Sequence, residues 1–210
     1  MYSVKEIFYT LQGEGRNAGR PAVFCRFSGC NLWSGREIDR SEAICTFCDT
    51  DFVGTDGVGG GKFSRAQDLA RAVAKCWPSN VRGQKLAVLT GGEPLLQIDD
   101  AFLTALHEEG FEIALETNGT IIPPGGVDWI CVSPKARSTL AVIGGNELKF
   151  VFPQSEAQPE DFESLAFDHF LLQPMDGPCR EENTAAAVKY CLTHPLWQLS
   201  LQTHKILGIS

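Results

Sequence analysis

The chain predicts an α/β protein folded as an incomplete (β/α) barrel of the TIM type, with about six parallel strands in one domain over residues 1–210. Two observations lead there. Short apolar runs of buried-strand type recur along the chain, as in KLAVLT at 85–90. Amphipathic helical stretches separate several of them, which implies crossover connections and a parallel sheet. The helices are too few for a closed eight-fold barrel, so the barrel is expected to stay open.

The elements follow in order. Ile7 to Thr10 is a short strand followed by the polar turn LQGEGRNAGR, and Ala22 to Phe27 is a strand running into a cysteine-bearing loop. Gly57 to Gly61 reads as a flexible spacer. Ser64 with Gln67 forms a capping box for a helix through Leu69, Ala70, Val73 and Trp77, which Pro78 stops. Lys85 to Thr90 is a buried strand leading into GGEP at 91–94. Asp99 or Asp100 opens a helix with Phe102, Leu103 and Leu106 on one face, and Gly110 closes it. Strands are expected at Phe111–Thr117, Val127–Ser133 and Glu147–Phe152, with no strong helical pattern between them. Pro159 introduces a helix over Asp161–Ala166, and His169–Gln173 is a strand ending in PMDG. Asn183 caps a helix over Thr184–Leu192, and Leu196–Thr203 is the last strand.

Composition bounds the function. A net charge of −8 argues against non-specific nucleic-acid binding, which needs clustered Lys and Arg. No window approaches the roughly eighteen apolar residues of a membrane-spanning helix. The N-terminal MYSVKEIFYT lacks the apolar run of a signal peptide, so a cytoplasmic protein with reduced thiols is expected. Cys25, Cys76, Cys131, Cys179 and Cys191 lie in apolar segments or far from the cysteine loop and are expected as small buried hydrophobes.

The loop CNLWSGREIDRSEAICTFCDTD at 30–51 holds the other three cysteines, Cys30, Cys45 and Cys48. Three is informative. A closed zinc site takes four ligands and a redox dithiol two, whereas three thiolates on an iron–sulfur cubane leave one iron open. A Cys-x-x-Cys pair alone also serves structural zinc or redox exchange. Zinc would need a fourth ligand, and no His lies between Cys30 and Asp51. Other polar groups gather at the predicted carboxyl ends of strands, where such folds bind ligands: GGEP, ETNG, SPK and QPMDG. A zinc-stapled interaction module without catalysis would have no use for them.

The loop together with GGEP resembles the radical S-adenosylmethionine superfamily. Within it, FYTLQGEGRNAGRPAVFCRFSGCNLW joined to CDTD is similar to the 7-carboxy-7-deazaguanine synthase family over nearly the whole chain. One departure stands out: fourteen residues separate Cys30 from Cys45, where the common superfamily spacing has three. The domain would be a modified radical S-adenosylmethionine core with an enlarged cluster loop at 30–48.

The resemblance implies that Cys30, Cys45 and Cys48 hold a 4Fe–4S cluster whose open iron chelates S-adenosylmethionine. Phe47, Gly91, Gly92 and Glu93 would contact that cofactor, Glu93 supplying charge to its ammonium. Ser133, Pro134 and Lys135 would face the ribose and carboxylate, and Gln173, Pro174, Met175 and Asp176 the adenine end. The substrate implied is 6-carboxy-5,6,7,8-tetrahydropterin. Glu14, with Gln12 beside it, would meet its amino–N3 edge, Leu11 and Gly13 would also contact the substrate, and Arg26 would bind its carboxylate as a bidentate pair. Thr90 and His204 would touch the pterin, Thr50 would bind Mg2+, and the tail ILGIS would bring the Ser210 carboxylate near the substrate. Glu14, Arg26 and Thr50 are the expected catalytic residues. A deoxyadenosyl radical would take hydrogen from C6, the ring would contract, and ammonia would leave. A homodimer and a flavodoxin-type reductant are implied as partners. A rival within the superfamily, an activase of a partner protein's glycine, would have no need of the Glu14–Arg26 pair.

Overall fold

The computed structural model describes residues 1–209. Nine strands form one sheet in the order β3-β1-β2-β4-β5-β6-β7-β8-β9. They are β1 Tyr2–Leu11, β2 Pro21–Phe27, β3 Gly61–Phe63, β4 Lys85–Gly91, β5 Phe111–Thr117, β6 Trp129–Val132, β7 Gly144–Phe152, β8 Ala166–Pro174 and β9 Trp197–Leu199. From β2 to β9 every pairing is parallel, while β1 runs antiparallel to both β2 and β3. The edge strands β3 and β9 do not pair, so the curved sheet stays an open α/β barrel.

Period-two alternation sorts each strand into an outer and an inner face. On the outer face Val23, Cys25 and Phe27 of β2, Ala87 and Leu89 of β4, and Ile113 and Leu115 of β5 form one buried core. Two helices cover it: α1, Ala66–Cys76, with Leu69, Ala70 and Val73, and α2, Asp100–Glu108, with Phe102, Leu103 and Leu106. A second core joins Leu148 and Phe150 of β7, Phe170 and Leu172 of β8, Trp197, and Ala187 of α3, Arg180–Thr193. The inner face is apolar only towards the amino ends of the strands, where Phe24, Leu86, Val88 and Ala114 pack together. One alternation step further along, the inward positions of β2, β4 and β5 turn polar, at Arg26, Thr90 and Glu116, and Lys149 of β7 and Gln173 of β8 join them in lining the cavity.

Several elements differ from expectation. β1 starts at Tyr2 rather than Ile7, because its exposed edge pairs with β3, a strand hidden in the glycine-rich spacer. The Ser64–Gln67 capping box does not form. Helix α1 begins at Ala66 after Arg65, whose guanidinium pairs with Asp68. The stretch after Pro159 is one 3-10 turn, Pro159–Phe162, and Ala166 already belongs to β8. Helix α3 begins at Arg180, and Asn183 donates its side-chain N–H to the Met175 carbonyl instead of capping. The last strand stops at Leu199 and gives way to α4, Thr203–Leu207. Asp99 does cap α2, accepting the Phe102 N–H at 3.0 Å while also accepting the Tyr2 hydroxyl at 2.7 Å. Among the five outlying cysteines Cys25 and Cys131 are buried, Cys76 and Cys191 partly so. Cys179 is exposed, because it precedes α3 on the surface. No described helix is long and apolar enough to cross a membrane.

Candidate active site

A cavity of about 360 Å³ opens at the carboxyl ends of the parallel strands. One wall is built from the long cysteine loop. The Leu32 carbonyl accepts the N–H groups of both Ile44 and Cys45, at 3.1 and 3.3 Å, so the insertion folds back on itself. That return brings Cys45 and Cys48 to the cavity edge beside Cys30, and all three border the cavity. The excursion carries a 3-10 turn, Glu37–Glu42, with no buried residue. Trp33 anchors it, buried edge-on against Phe52 with ring centroids 5.6 Å apart. The Arg40 guanidinium lies 4.0 Å above the Trp33 ring and donates to the carbonyls of Thr46 and Cys48.

The thiols are not equivalent. A hydrogen bond from the Cys45 thiol pulls the Cys48 pKa down to about 6 against the opposing effect of burial, and the same bond raises Cys45. Burial, the largest influence on Cys30, raises its pKa. Among the described residues no three His, Cys, Asp or Glu side chains converge as a site for a single metal ion. The three cysteines are soft sulfur donors, the chemistry of iron–sulfur ligation, while Asp49, Thr50 and Asp51 of the same loop bring hard oxygens to the cavity.

GGEP forms the next part of the wall and shows why glycine is needed there. A Cβ on Gly91, at φ +133°, would stand 2.2 Å from the Phe27 carbonyl oxygen, and one on Gly92 would stand 2.1 Å from that of Gly29. Both glycines border the cavity, but Glu93 does not. Its carboxylate is fully buried and accepts the Leu95 N–H at 3.0 Å, the Thr117 hydroxyl at 2.8 Å and the Asn118 N–H at 2.8 Å. Burial raises its pKa despite those bonds. In this structure Glu93 ties the GGEP turn to the end of β5. Pro134 is also off the cavity, whereas Ser133 and Lys135 line it. Lys135 donates to the Ser133 carbonyl and hydroxyl and sits 5.7 Å from the Phe47 ring centre. Gln173, Pro174, Met175 and Asp176 all reach the cavity from the end of β8.

Leu11, Gln12, Gly13, Glu14, Arg26 and Thr90 also line the cavity. Arg26 is half-buried, with Nε bonded to Glu6 at 2.8 Å. Gln12 is buried, donating to Glu116 at 3.0 Å and accepting the Glu14 N–H at 3.1 Å. Thr90 donates its hydroxyl to Glu116 at 2.9 Å. Glu14 is ion-paired to Lys149 and accepts from Gln202 at 2.9 Å. Burial pushes its pKa up, but the Lys149 ammonium and the hydrogen bonds reverse this and hold it at about 2. Neither Glu116 nor Lys149 is among the site residues expected from the sequence. The inward alternation of β5, carried one step past Ala114, is the signal that would have found Glu116.

From the C-terminal segment Gln202, His204 and Lys205 line the cavity. Thr203 gives both its N–H and its hydroxyl to the Gly13 carbonyl at 2.9 Å, and Gly15 donates to the Ser200 hydroxyl at 3.0 Å. Lys205 bridges Asp49, beside Cys48, and Asp176, at 2.6 and 2.7 Å. His204 packs so closely on Gly13 that a Cβ there would stand 2.3 Å from its Nδ1. Thr50 borders the cavity between Asp49 and Asp51. Ser210 lies outside the described residues.

An open parallel barrel with thiols and a glycine turn on its carboxyl rim is the frame of a radical S-adenosylmethionine enzyme, which gives the class. No family model matches the chain. It is 65% identical over 208 residues to the 7-carboxy-7-deazaguanine synthase of Bordetella pertussis, covering 99% of both chains. It is 40% identical, over all of its own length and 99% of the relative's, to the synthase of that name from Bacteroides thetaiotaomicron. A crystal structure of QueE from Escherichia coli superposes with a TM-score of 0.69 at 26% identity, over 95% of this chain and 93% of that one. The chain belongs to the 7-carboxy-7-deazaguanine synthase family.

Proposed function

We propose that this protein is the carbon–nitrogen lyase its family membership names, contracting the ring of 6-carboxy-5,6,7,8-tetrahydropterin to 7-carboxy-7-deazaguanine with loss of ammonia, in queuosine-type 7-deazapurine synthesis. One observation supports the site assignment above the others. A single cavity is lined both by the three thiols and by the Glu14 carboxylate and Arg26 guanidinium. The cysteine wall suits a 4Fe–4S cluster held by Cys30, Cys45 and Cys48, with room for S-adenosylmethionine along Phe47, Gly91, Gly92, Ser133, Lys135 and the end of β8. When bound, these groups supply a deoxyadenosyl radical able to take hydrogen from C6 of the pterin.

The chain's own residues bind and orient. Glu14 is held ionised beside Lys149, so it accepts the two donors of the amino–N3 edge. Arg26, braced by Glu6, offers its remaining guanidinium N–H groups to the substrate carboxylate. The Thr50 hydroxyl is a hard-oxygen ligand for Mg2+ beside that carboxylate. His204 and its C-terminal segment limit water access, which protects a radical from quenching. Glu93 acts by fixing the GGEP turn and not by touching the cofactor.

Residues 1–210 work as one domain. A cytoplasmic location fits eight cysteines with no disulfide among the described residues. A homodimer and a flavodoxin-type reductant come with the family reading, and the net charge of −8 suits a small-molecule substrate rather than nucleic acid. Anaerobic purification with iron and sulfide analysis, followed by turnover of the carboxy-tetrahydropterin, tests the whole reading. Iron, sulfide and ring-contracted product are expected. Zinc without sulfide, or a loaded enzyme giving no product, overturns it.

A further inference from the structure

Lys149 has no place in the chemistry above except beside Glu14, yet it is one of the most confined charges in the molecule. It stands on the inner face of β7, 5% exposed, and is paired with Glu14 from the β1–β2 loop and, at 3.7 Å, with Glu116 from β5. Cys131 from β6 and Glu147 from β7 itself also face its ammonium, with Lys135 acting from further off. Every carboxylate oxygen of the two partners is engaged. Glu14 Oε2 meets Lys149 and Oε1 meets Gln202, while Glu116 Oε1 takes Gln12 and Oε2 takes Thr90. Gln173 also reaches Glu14, and Lys149 shares Glu116 Oε1 with Gln12. A carboxylate oxygen accepts about two hydrogen bonds, so Glu116 Oε2 and one oxygen of Glu14 retain room for a ligand donor.

We propose that Lys149 is a positioning residue for the pterin, its ammonium keeping Glu14 and Glu116 together as an anionic pair that can accept from the donor edge of the ligand. This rests on the pterin reading of the site. Two carboxylates sharing a confined wall without a cation cannot both stay ionised, and one takes up a proton. A protonated carboxyl turns an acceptor into a donor and so opposes the N–H groups it should receive. The Glu14 pKa of about 2 agrees with a pair kept charged by its cation.

The probe is 6-carboxypterin, an oxidised and unreactive analogue, titrated calorimetrically into anaerobic holoenzyme. Wild type is expected to bind with one affinity between about pH 5.5 and 7, where Glu14 stays ionised and the probe keeps its N3 proton. Lys149→Met is expected to bind about tenfold or more weakly near pH 6 and to recover with rising pH, while its S-adenosylmethionine affinity stays unchanged. Lys149→Arg should restore the flat profile. A flat profile in Lys149→Met overturns the proposal. Should that variant not fold, carboxyl 13C NMR of wild type decides: a Glu14 signal titrating between about pH 5 and 8 overturns it, and one constant there supports it. Glu14→Gln, measured alongside, separates the two readings. Unchanged affinity removes the pterin site and the proposal with it, whereas weakened affinity with a flat Lys149→Met profile removes Lys149 alone.

Discussion

Glu14 and Glu93 are chemically identical side chains whose surroundings drive them apart. Glu93 is hydrogen-bonded only by neutral donors, and the more distant Lys135 charge does not offset burial, so its pKa rises. Glu14 meets an ammonium, and its pKa falls to about 2. A depressed carboxylate contributes stability above its unfolded value of 4.5, and that contribution is lost as pH falls towards the folded value. Thermal melts of Glu14→Gln and wild type should therefore converge between about pH 4 and 2, and parallel curves would contradict the pairing. Glu93→Ala strands three buried donors, each worth about 1–3 kcal/mol, so urea titration should show a loss of at least ~2 kcal/mol. At the thiols, Cys30→Ala, Cys45→Ala and Cys48→Ala are each expected to lose cluster iron, and full iron content in any one contradicts its assignment. Cysteines in a recognisable loop and Glu14 in LQGEG could be read from the chain. Lys149 could not, because ELKFVF alternates like any half-exposed strand and a strand lysine is ordinarily solvent-facing. Only the arrival of two carboxylates from distant elements makes a cation tolerable there.

Among the elements, the cap of α2 and the GGEP turn were legible because their causes are local. Asp99 accepts from Phe102, and replacing it with Ala should cost about 1 kcal/mol through the lost cap. The Tyr2 hydroxyl loses its partner too, so Asp99→Ala should exceed the cap value and Tyr2→Phe should recover only part of that loss. Urea midpoints of both variants measure this. Elements that depended on distant partners were misread. β3 exists because β1 offers an edge to Gly61–Phe63, and nothing within GVGGGKF announces it. LWQLSLQT looks like one continuous strand but ends at Leu199. Ser200 and Thr203 are engaged by the Gly13–Gly15 turn, a demand invisible from the segment itself.

Across the whole molecule, an open barrel places its inward polar residues at one rim, and the chain supplies separate pieces to close over it. The alternation of strands and helices was enough to read the fold class, whereas the path of the fourteen-residue excursion after Cys30 was not. Its return depends on the Leu32 carbonyl and on the stacking of Arg40 upon Trp33. Two kinds of ion pair hold the rim together. Lys149 lies deep inside, but Lys205, 29% exposed, spans Asp49 and Asp176 at the surface. Dissolved electrolyte attenuates the second kind over about 10 Å at 0.1 M and barely reaches the first. Added potassium chloride should therefore loosen the Lys205 bridge between Asp49 and Asp176 while leaving the Lys149 pair of the inner wall intact.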